Sequence, residues 1–321
     1  MKTQARIVLV LLIAMAAIAI AISPSGFADS SSINFEPPLY TPGSIHNQDG
    51  WSSSGSAGSG CATYDHKVVT NSGAPLSFAT QSLRMSNAVT SGCFGDQTFS
   101  KSLVNEAGET FADGGGMSGG VRQNYFEAQW TFASTVPGAE QLGLSVVASP
   151  DRGDGARMSW VQMADTSAGL EVNFYDYQSG VSEVGCVNGF NFVFTNVASG
   201  LNRTVPHTIK ITMNFIDEPG NDVVKVYVDG VLKHTGTSWE DYFRECEVNP
   251  SRTVDSILFR TGGAPAPATL GFGFLVDNLS LTSSTLIGPP TNKDQCKNGG
   301  WQTFNNPSFR NQGQCVSYTN H

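Results

Sequence analysis

Acidic side chains cluster in one segment that could supply a pair of catalytic carboxylates. The segment SWEDYFRECE contains Glu240, Asp241, Glu245 and Glu247. Cleavage of a glycosidic bond uses two carboxyl groups that flank the bond, one as acid and one as base or nucleophile. The spacing in this segment does not align the acids along one face of a strand. We therefore expect a solvated acidic loop here and assign no catalytic residue.

A second group of polar side chains alternates with apolar residues and could bind a sugar. Alternate residues of a strand point to the same side. Aromatic rings can stack on sugar rings, and amide and guanidinium groups can bond sugar hydroxyls. The candidate ligand-binding residues on such faces are Arg84, Tyr125, Glu127, Gln129, Arg157, Glu171, Asn173, Tyr175 and Tyr177. An ordinary solvated sheet face is the alternative interpretation.

The elements that must position these residues are strands. Apolar and polar residues alternate in about ten segments between residues 31 and 283, of which HTIKITMNF is typical, and no segment predicts a convincing amphipathic helix. Asp229 and Gly230 separate two such runs and predict a tight hairpin, because both tolerate positive φ. The 35 glycines and 15 prolines supply turns. This pattern predicts an all-β antiparallel sandwich.

Three segments carry a resemblance to a known family. SLRMSNAVTSGCFGDQTFS, KVYVDGVLKHTGTSWEDYF and GFLVDNLSL resemble the concanavalin A-like lectin/glucanase sandwiches of secreted proteins. The resemblance implies a jelly-roll fold that hosts lectins, glycan-binding modules, glycosidases and lyases. The Glu-x-Asp-x-x-Glu strand of its glycosidases and the Gln-x-His pair of its lyases are absent from this sequence. The resemblance therefore favours glycan binding over catalysis.

The same resemblance implies a structural calcium ion. In similar glycan-binding sandwiches an early acid and a late Asp share the ion, and here these residues would be Glu36 and Asp277. Asp277 is in register with Leu275, Leu279 and Leu281, so an inward carboxylate there would need a partner such as a hard cation. A hydrogen bond to a neighbouring amide, or a bulge that turns Asp277 outward, would remove that need.

The N-terminal segment predicts export. Lys2 and Arg6 precede an apolar run at residues 7–22, which is typical of a secretory signal peptide, here residues 1–28 with cleavage after Ala28. An uncleaved anchor is the alternative, although the run is shorter than the roughly 20 residues that a spanning helix needs. We expect a secreted, extracellular protein that has no membrane contact after cleavage.

The cysteines fit an exported protein, because none has the CxxC spacing of zinc or redox sites. They are Cys61, Cys93, Cys186, Cys246, Cys296 and Cys315. A bond between Cys296 and Cys315 is the best-supported pair, since the C-terminal extension at residues 293–321 holds only these two. Six cysteines allow about 15 connectivities, so the pairing of the other four stays open. The extension is too short for a core of its own and would depend on this closure.

These features define the expected organisation and function. A signal peptide at residues 1–28 precedes a sandwich at residues 29–283, a linker at 284–292 and the extension. Without the first 28 residues, 16 basic residues stand against 27 acidic ones, which argues against a nucleic-acid partner. We expect a non-catalytic protein that binds a polysaccharide or surface glycan. A polysaccharide-degrading lyase or glycosidase is the alternative, and a purely structural module is a third interpretation.

Overall fold

A computed structural model gives the fold of most of the chain. It describes residues 28–53, 65–72, 78–90, 97–110, 118–178, 192–247, 252–261 and 264–320. Most of the expected signal peptide, together with Cys61, Cys93 and Cys186, lies outside the described residues. The chain divides into two compact units, Gly26–Ile287 and a second unit that contains Gly288–His321.

The described residues form eighteen strands and two α-helices. The strands are β1 (Asp29–Ile33), β2 (Gly43–Ser44), β3 (Ser52–Ser53), β4 (His66–Thr70), β5 (Gln81–Met85), β6 (Gln97–Phe99), β7 (Ala107–Gly108), β8 (Tyr125–Ser134), β9 (Ser145–Asp151), β10 (Trp160–Thr166), β11 (Gly169–Tyr177), β12 (Phe192–Leu201), β13 (His207–Asn214), β14 (Val223–Val228), β15 (Val231–Gly236), β16 (Thr253–Val254), β17 (Ser256–Arg260) and β18 (Phe274–Ser284). The helices are α1 (Glu240–Glu245) and α2 (Gln312–Tyr318).

The strands of the larger unit form two antiparallel sheets. Sheet A has the order β15-β14-β13-β8-β18-β5-β4-β2, with β1 also paired to β18, and sheet B has the order β12-β11-β10-β9-β17-β6-β3. The short strands β7 and β16 pair separately. This architecture confirms the predicted all-β, antiparallel sandwich. The short strands bring the total above the ten segments that alternation predicted.

Alternate residues of the central strands fill the space between the sheets. Phe126 and Trp130 of β8 in sheet A are fully buried, as is Phe174 of β11 in sheet B. The ring of Trp130 meets that of Phe259 in β17 edge-on, with the centroids 6.3 Å apart. Because these side chains point inward, the residues between them lie on the outer faces. The two outer faces are opposite sides of the sandwich.

The predicted hairpin is confirmed. β14 pairs with β15, and the two residues between them, Asp229 and Gly230, have φ values of 52° and 77°. Few residue types other than Gly, Asn and Asp adopt this backbone region without strain. The dipeptide therefore fixes the turn that joins these strands.

The acidic segment does not form the solvated loop that its sequence predicted. Residues Glu240–Glu245 form α1, and Glu240 and Asp241 are buried. Trp239, Tyr242 and Phe243 are also buried, with the i, i+3, i+4 spacing of a helix face. The apolar face of α1 packs into the main core and takes the acids out of water with it.

The C-terminal unit is held by the predicted disulfide. Cys296 and Cys315 are bonded across a sequence separation of 19 residues. They form a small apolar cluster with the buried ring of Phe309, and Trp301 and Phe304 pack against this cluster. Closing a loop of this length contributes about 3 kcal/mol in the chain-entropy account. The disulfide thus adds stability that so small an apolar cluster does not provide by itself.

Candidate functional site

The nine candidate ligand-binding residues do not share one surface. Tyr125, Glu127 and Gln129 alternate with the buried residues of β8 and lie on the outer face of sheet A. Glu171 and Tyr175 alternate with the buried residues of β11 and lie on the outer face of sheet B. The sequence-based grouping of both sets into one surface is therefore wrong, because their strands belong to different sheets.

Three of the candidates on sheet A are bound to other groups of the chain. The hydroxyl of Tyr125 donates to Glu127 at 2.7 Å. Arg84 lines a pocket of about 500 Å³ together with Arg203. The guanidinium of Arg84 donates to both oxygens of Asp65 at 2.6 and 2.7 Å, and Nε of Arg203 donates to one oxygen of another carboxylate at 2.7 Å. These pairs neutralise the pocket and leave it without a strong preference for an anion.

An aromatic row crosses three strands on the outer face of sheet B. Phe194 of β12 stands opposite Tyr175 of β11, and Tyr175 stands opposite Trp160 of β10. Ring centroids are 5.3 Å apart in the first pair and 6.2 Å apart in the second, both with edge-on geometry. Phe194 is 54% exposed, whereas Tyr175 and Trp160 are half-buried. We call these three residues the aromatic row.

Trp239 and two arginines support the end of the aromatic row. Trp239, directly before α1, stacks on Trp160 at 5.8 Å and donates from Nε1 to the carbonyl of Tyr175 at 2.8 Å. The guanidinium carbons of Arg157 and Arg260 lie 5.5 and 5.2 Å from the centre of the Trp160 ring. Burial lowers the pKa of Arg157 from its usual value. These contacts hold Trp160 in place and put positive charge beside it.

A row of hydrogen-bonded polar side chains runs beside the aromatic row. Asn196 of β12 donates to Asn173 of β11 at 2.8 Å, and Asn173 donates to Gln162 of β10 at 3.3 Å. Gln162 then donates from Nε2 to the hydroxyl of Ser145 in β9 at 2.7 Å. We call these four residues the amide row. It lies two residues along the strands from the aromatic row, a distance of about 6.7 Å.

The amide row ends at a cavity of about 580 Å³. Ser145 and Gln162 form part of its lining. Leu142 and residues 264–268, a run of alanine and proline, form the rest of the wall with Asn87 and Gly143. The outer face of sheet B thus combines stacking surfaces, hydrogen-bonding groups and a cavity of the size typical of ligand sites.

Two of the candidates on sheet B lie outside the rows. Tyr177 is buried, and its hydroxyl donates to Glu245 at 3.0 Å. Burial, with Glu245 beside it, raises the pKa of Tyr177 to about 12. The carboxylate of Glu171 accepts from Thr166 at 3.4 Å at the far end of β11. The predicted residues that the structure brings together are therefore Tyr175, Asn173, which is buried, and Arg157 beside Trp160.

The rows also contain residues that were not among the candidates, namely Ser145, Trp160, Gln162, Phe194 and Asn196. Trp160 and Gln162 alternate with Val161 and Met163 in the sequence, so they occupy positions of a predicted strand that face away from the core. A tryptophan at an outward-facing position was the sequence signal that could have identified this part of the site. No comparable signal pointed to Phe194, because β12 does not alternate cleanly between buried and exposed residues.

The two proposed calcium ligands meet at one segment of the chain. The carboxylate of Glu36 accepts from the amide of Gln81 at 2.8 Å and from the hydroxyl of Thr80. Asp277 is 1% exposed and accepts from the amide of Asn278 at 2.8 Å, whereas its Oδ2 has no hydrogen-bond partner among the described residues. Burial, together with the charge of Glu36, raises the pKa of Asp277 to about 6. An orphaned buried carboxylate oxygen suits a hard cation.

The backbone around Asp277 differs from the predicted register. A bulge between Asp277 and Ser280, with Asn278 at a φ of 50°, shifts the alternation. Leu279 therefore points inward, whereas Asp277 lies opposite Thr131 on the outer side of sheet A. Among the described residues no group of three or more His, Cys, Asp or Glu side chains could hold a metal. From the described residues, further calcium ligands would have to be backbone carbonyls, the oxygens of neutral polar side chains, or water, and calcium at Glu36 and Asp277 stays a prediction.

We expect calcium to raise the melting temperature at pH 7, because the ion would pair with the ionised Asp277 carboxylate. A chelator should reverse the effect, and Asp277→Asn should remove the response to calcium. Thermal melts with and without calcium test this expectation. If calcium leaves the melting curve unchanged and Asp277→Asn stabilises the protein at pH 7, Asp277 is instead a buried acid that is costly to ionise, and the calcium prediction is wrong.

Comparisons with known proteins find distant structural similarities alone. No protein-family model and no curated protein matches the chain. Among solved structures it is similar to an endo-1,3-beta-glucanase from Streptomyces sioyaensis (13% identity, TM-score 0.40, 80% of this chain and 97% of that chain) and to beta-agarase A from Zobellia galactanivorans (10%, 0.40, 84% and 97%). It is also similar to the metal-free carbohydrate recognition domain of Emp46p (13%, 0.36, 80% and 97%).

No described helix is long and apolar enough to cross a membrane. The longer of the two described α-helices, α2, has only seven residues, whereas a spanning helix needs roughly 20.

Proposed function

We propose that this chain is an extracellular, non-catalytic glycan-binding protein whose ligand lies along the two rows on sheet B. The observation that carries the proposal is their parallel arrangement. Tyr175 and Trp160 offer ring faces and edges to sugar rings, while the half-buried Gln162 and the exposed Asn196 offer amide groups to the hydroxyls beside them. The residues come from neighbouring strands, so their spacing is fixed by the hydrogen bonds of the sheet.

The location outside the cell is part of the proposal. The apolar run at residues 7–22 is typical of a secretory signal peptide. The Cys296–Cys315 disulfide supports the same location, because structural disulfides persist mainly in oxidising compartments. A polysaccharide or a surface glycan would be the natural partner there.

The composition of the rows favours binding over catalysis. Both rows consist of aromatic, amide and hydroxyl side chains, and neither contains a carboxylate. Hydrolysis by the usual route needs two carboxyl groups within about 10 Å of each other around the scissile bond. The rows can therefore hold and orient a glycan without supplying the two carboxyl groups that hydrolysis uses.

A glycan array probed with residues 29–321 tests the proposal, with the bound glycans then incubated with the protein and analysed for products. We expect retention of at least one polysaccharide and no increase in reducing ends or unsaturated sugars. Failure to bind any glycan would contradict the proposal. Product formation by the protein alone would replace it with the polysaccharide-degrading alternative.

A further inference from the structure

The cavity at the end of the amide row has two chemically different sides. Gln162 and Ser145 form a polar side, and both belong to the amide row. The opposite wall is apolar: Leu142 is 75% exposed, and residues 264–268 contribute alanine and proline. A sugar that carries only hydroxyl groups would satisfy the polar side and leave the apolar wall in contact with water.

The apolar wall is fixed in place. The amide of Asn87 donates to the carbonyls of Gly143 and Ala264, at 2.8 and 3.4 Å, and its oxygen accepts from the backbone of Ser145 at 3.3 Å. This one side chain therefore ties both parts of the wall to β9. A wall that is held in this way needs little reordering when a ligand enters, which lowers the cost of binding.

The polar side has hydrogen-bonding capacity left for a ligand. The Nε2 of Gln162 carries two hydrogens and donates one to Ser145. Among the described residues, no acceptor binds the other hydrogen. A carbonyl oxygen that entered the cavity could accept it, with the rest of the entering group against Leu142 and the proline-rich wall. The group that matches both sides has a carbonyl and a small apolar end.

We propose that the glycan bound along the rows carries acetyl groups, and that an acetylated sugar unit occupies this cavity. The carbonyl of the acetyl group accepts from Gln162, and its methyl packs against Leu142 and residues 264–268. The inference rests on the proposed function, because the cavity and the amide row share Gln162 and Ser145. A volume of about 580 Å³ admits a sugar ring together with its substituent.

Binding of matched acetylated and deacetylated glycans tests the inference. One arm compares chitin oligosaccharides with glucosamine oligosaccharides, and the other compares O-acetylated xylan with the same xylan after saponification. We expect roughly tenfold tighter binding of the acetylated form in at least one arm, from burial of the methyl group and one added hydrogen bond. The arm that shows the preference identifies the linkage as N-acetyl or O-acetyl.

Two tryptophan variants locate the preference. Ala268→Trp fills the cavity from its exposed rim, so the acetylated form should then bind no more tightly than the deacetylated form. Leu270→Trp is the matched control, because Leu270 is 57% exposed but does not line the cavity. Equal binding of both forms by the parent, or an unchanged preference in Ala268→Trp, overturns the inference while the proposed function stands. Absence of binding to any form overturns both.

Discussion

Tyr175→Ala will weaken glycan binding about tenfold or more, whereas Tyr125→Ala will leave it unchanged. Tyr175 stands at the centre of the aromatic row between Phe194 and Trp160. Its loss removes buried area together with the roughly 1 kcal/mol that aromatic contacts add beyond area. Tyr125 is also half-buried in a strand, but it lies on the outer face of the other sheet. Titration calorimetry with the tightest glycan from the array measures both effects.

Phe174→Ala separates loss of binding from loss of fold. Phe174 is the neighbour of Tyr175 in β11 and is fully buried between the sheets. Its truncation leaves a cavity and should lower the free energy of unfolding by about 3–5 kcal/mol. Tyr175→Ala should keep a melting temperature near that of the parent. Equal loss of binding in Tyr175→Ala and Tyr125→Ala would contradict a site on sheet B.

The second large effect concerns acids buried around α1. Burial raises the pKa of Asp222 to about 7, and burial with the charge of Asp222 raises the pKa of Glu240. In the unfolded chain these carboxyls ionise near pH 4. The folded state therefore holds more protons between pH 4 and pH 7, so its stability should fall as the pH rises through that window. The raised pKa of Asp222 corresponds to a decrease in the free energy of unfolding on the order of 4 kcal/mol between pH 4 and pH 7.

Glu240→Gln should raise the melting temperature at pH 8 and flatten its dependence on pH. The glutamine retains the oxygen that accepts from the amides of Asn221 and Asp222 at 3.0 Å each, and it removes a charge from a site that is 1% exposed. Glu140→Gln, at an exposed position, is the control and should change neither quantity. Thermal melts from pH 4 to pH 9 make the comparison. A constant melting temperature in the parent, or destabilisation by Glu240→Gln at pH 8, would refute this account of the buried acids.

The fold could be predicted from local patterns because its main determinants are local. Alternation along HTIKITMNF correctly predicted β13, and the Asp229-Gly230 dipeptide correctly predicted the hairpin. The same alternation identified Phe174 as a core residue and Tyr175 as its outward neighbour. Each of these features depends on residues that are adjacent in sequence.

The division of the strands between the two sheets could not be predicted in this way. β8 pairs with β18 across more than a hundred residues, and β11 pairs with β10 in the other sheet. Periodicity tells which side of a strand is buried, but it contains no information on the sheet that the strand joins. Tyr125 and Tyr175 therefore carried the same pattern although they lie on opposite sides of the molecule.

Two further differences have local physical causes. The bulge next to Asp277 adds one residue to β18 relative to its partner strand. The left-handed backbone conformation of Asn278 accommodates this extra residue. Alternation alone cannot detect such an addition. In the acidic segment, the apolar residues Trp239, Tyr242 and Phe243 had helical spacing, and the charges between them concealed it. Packing of those aromatic rings outweighed the cost of burying Glu240.

A crystal structure with the tightest-binding glycan of the array tests the location of the site most directly. We expect a sugar ring against Tyr175 and Trp160, hydroxyls within hydrogen-bonding distance of Asn196 and Gln162, and the glycan chain directed across the strands toward the cavity beside Leu142. A glycan bound instead on the outer face of sheet A, or on the C-terminal unit, with the two rows empty, would contradict the account.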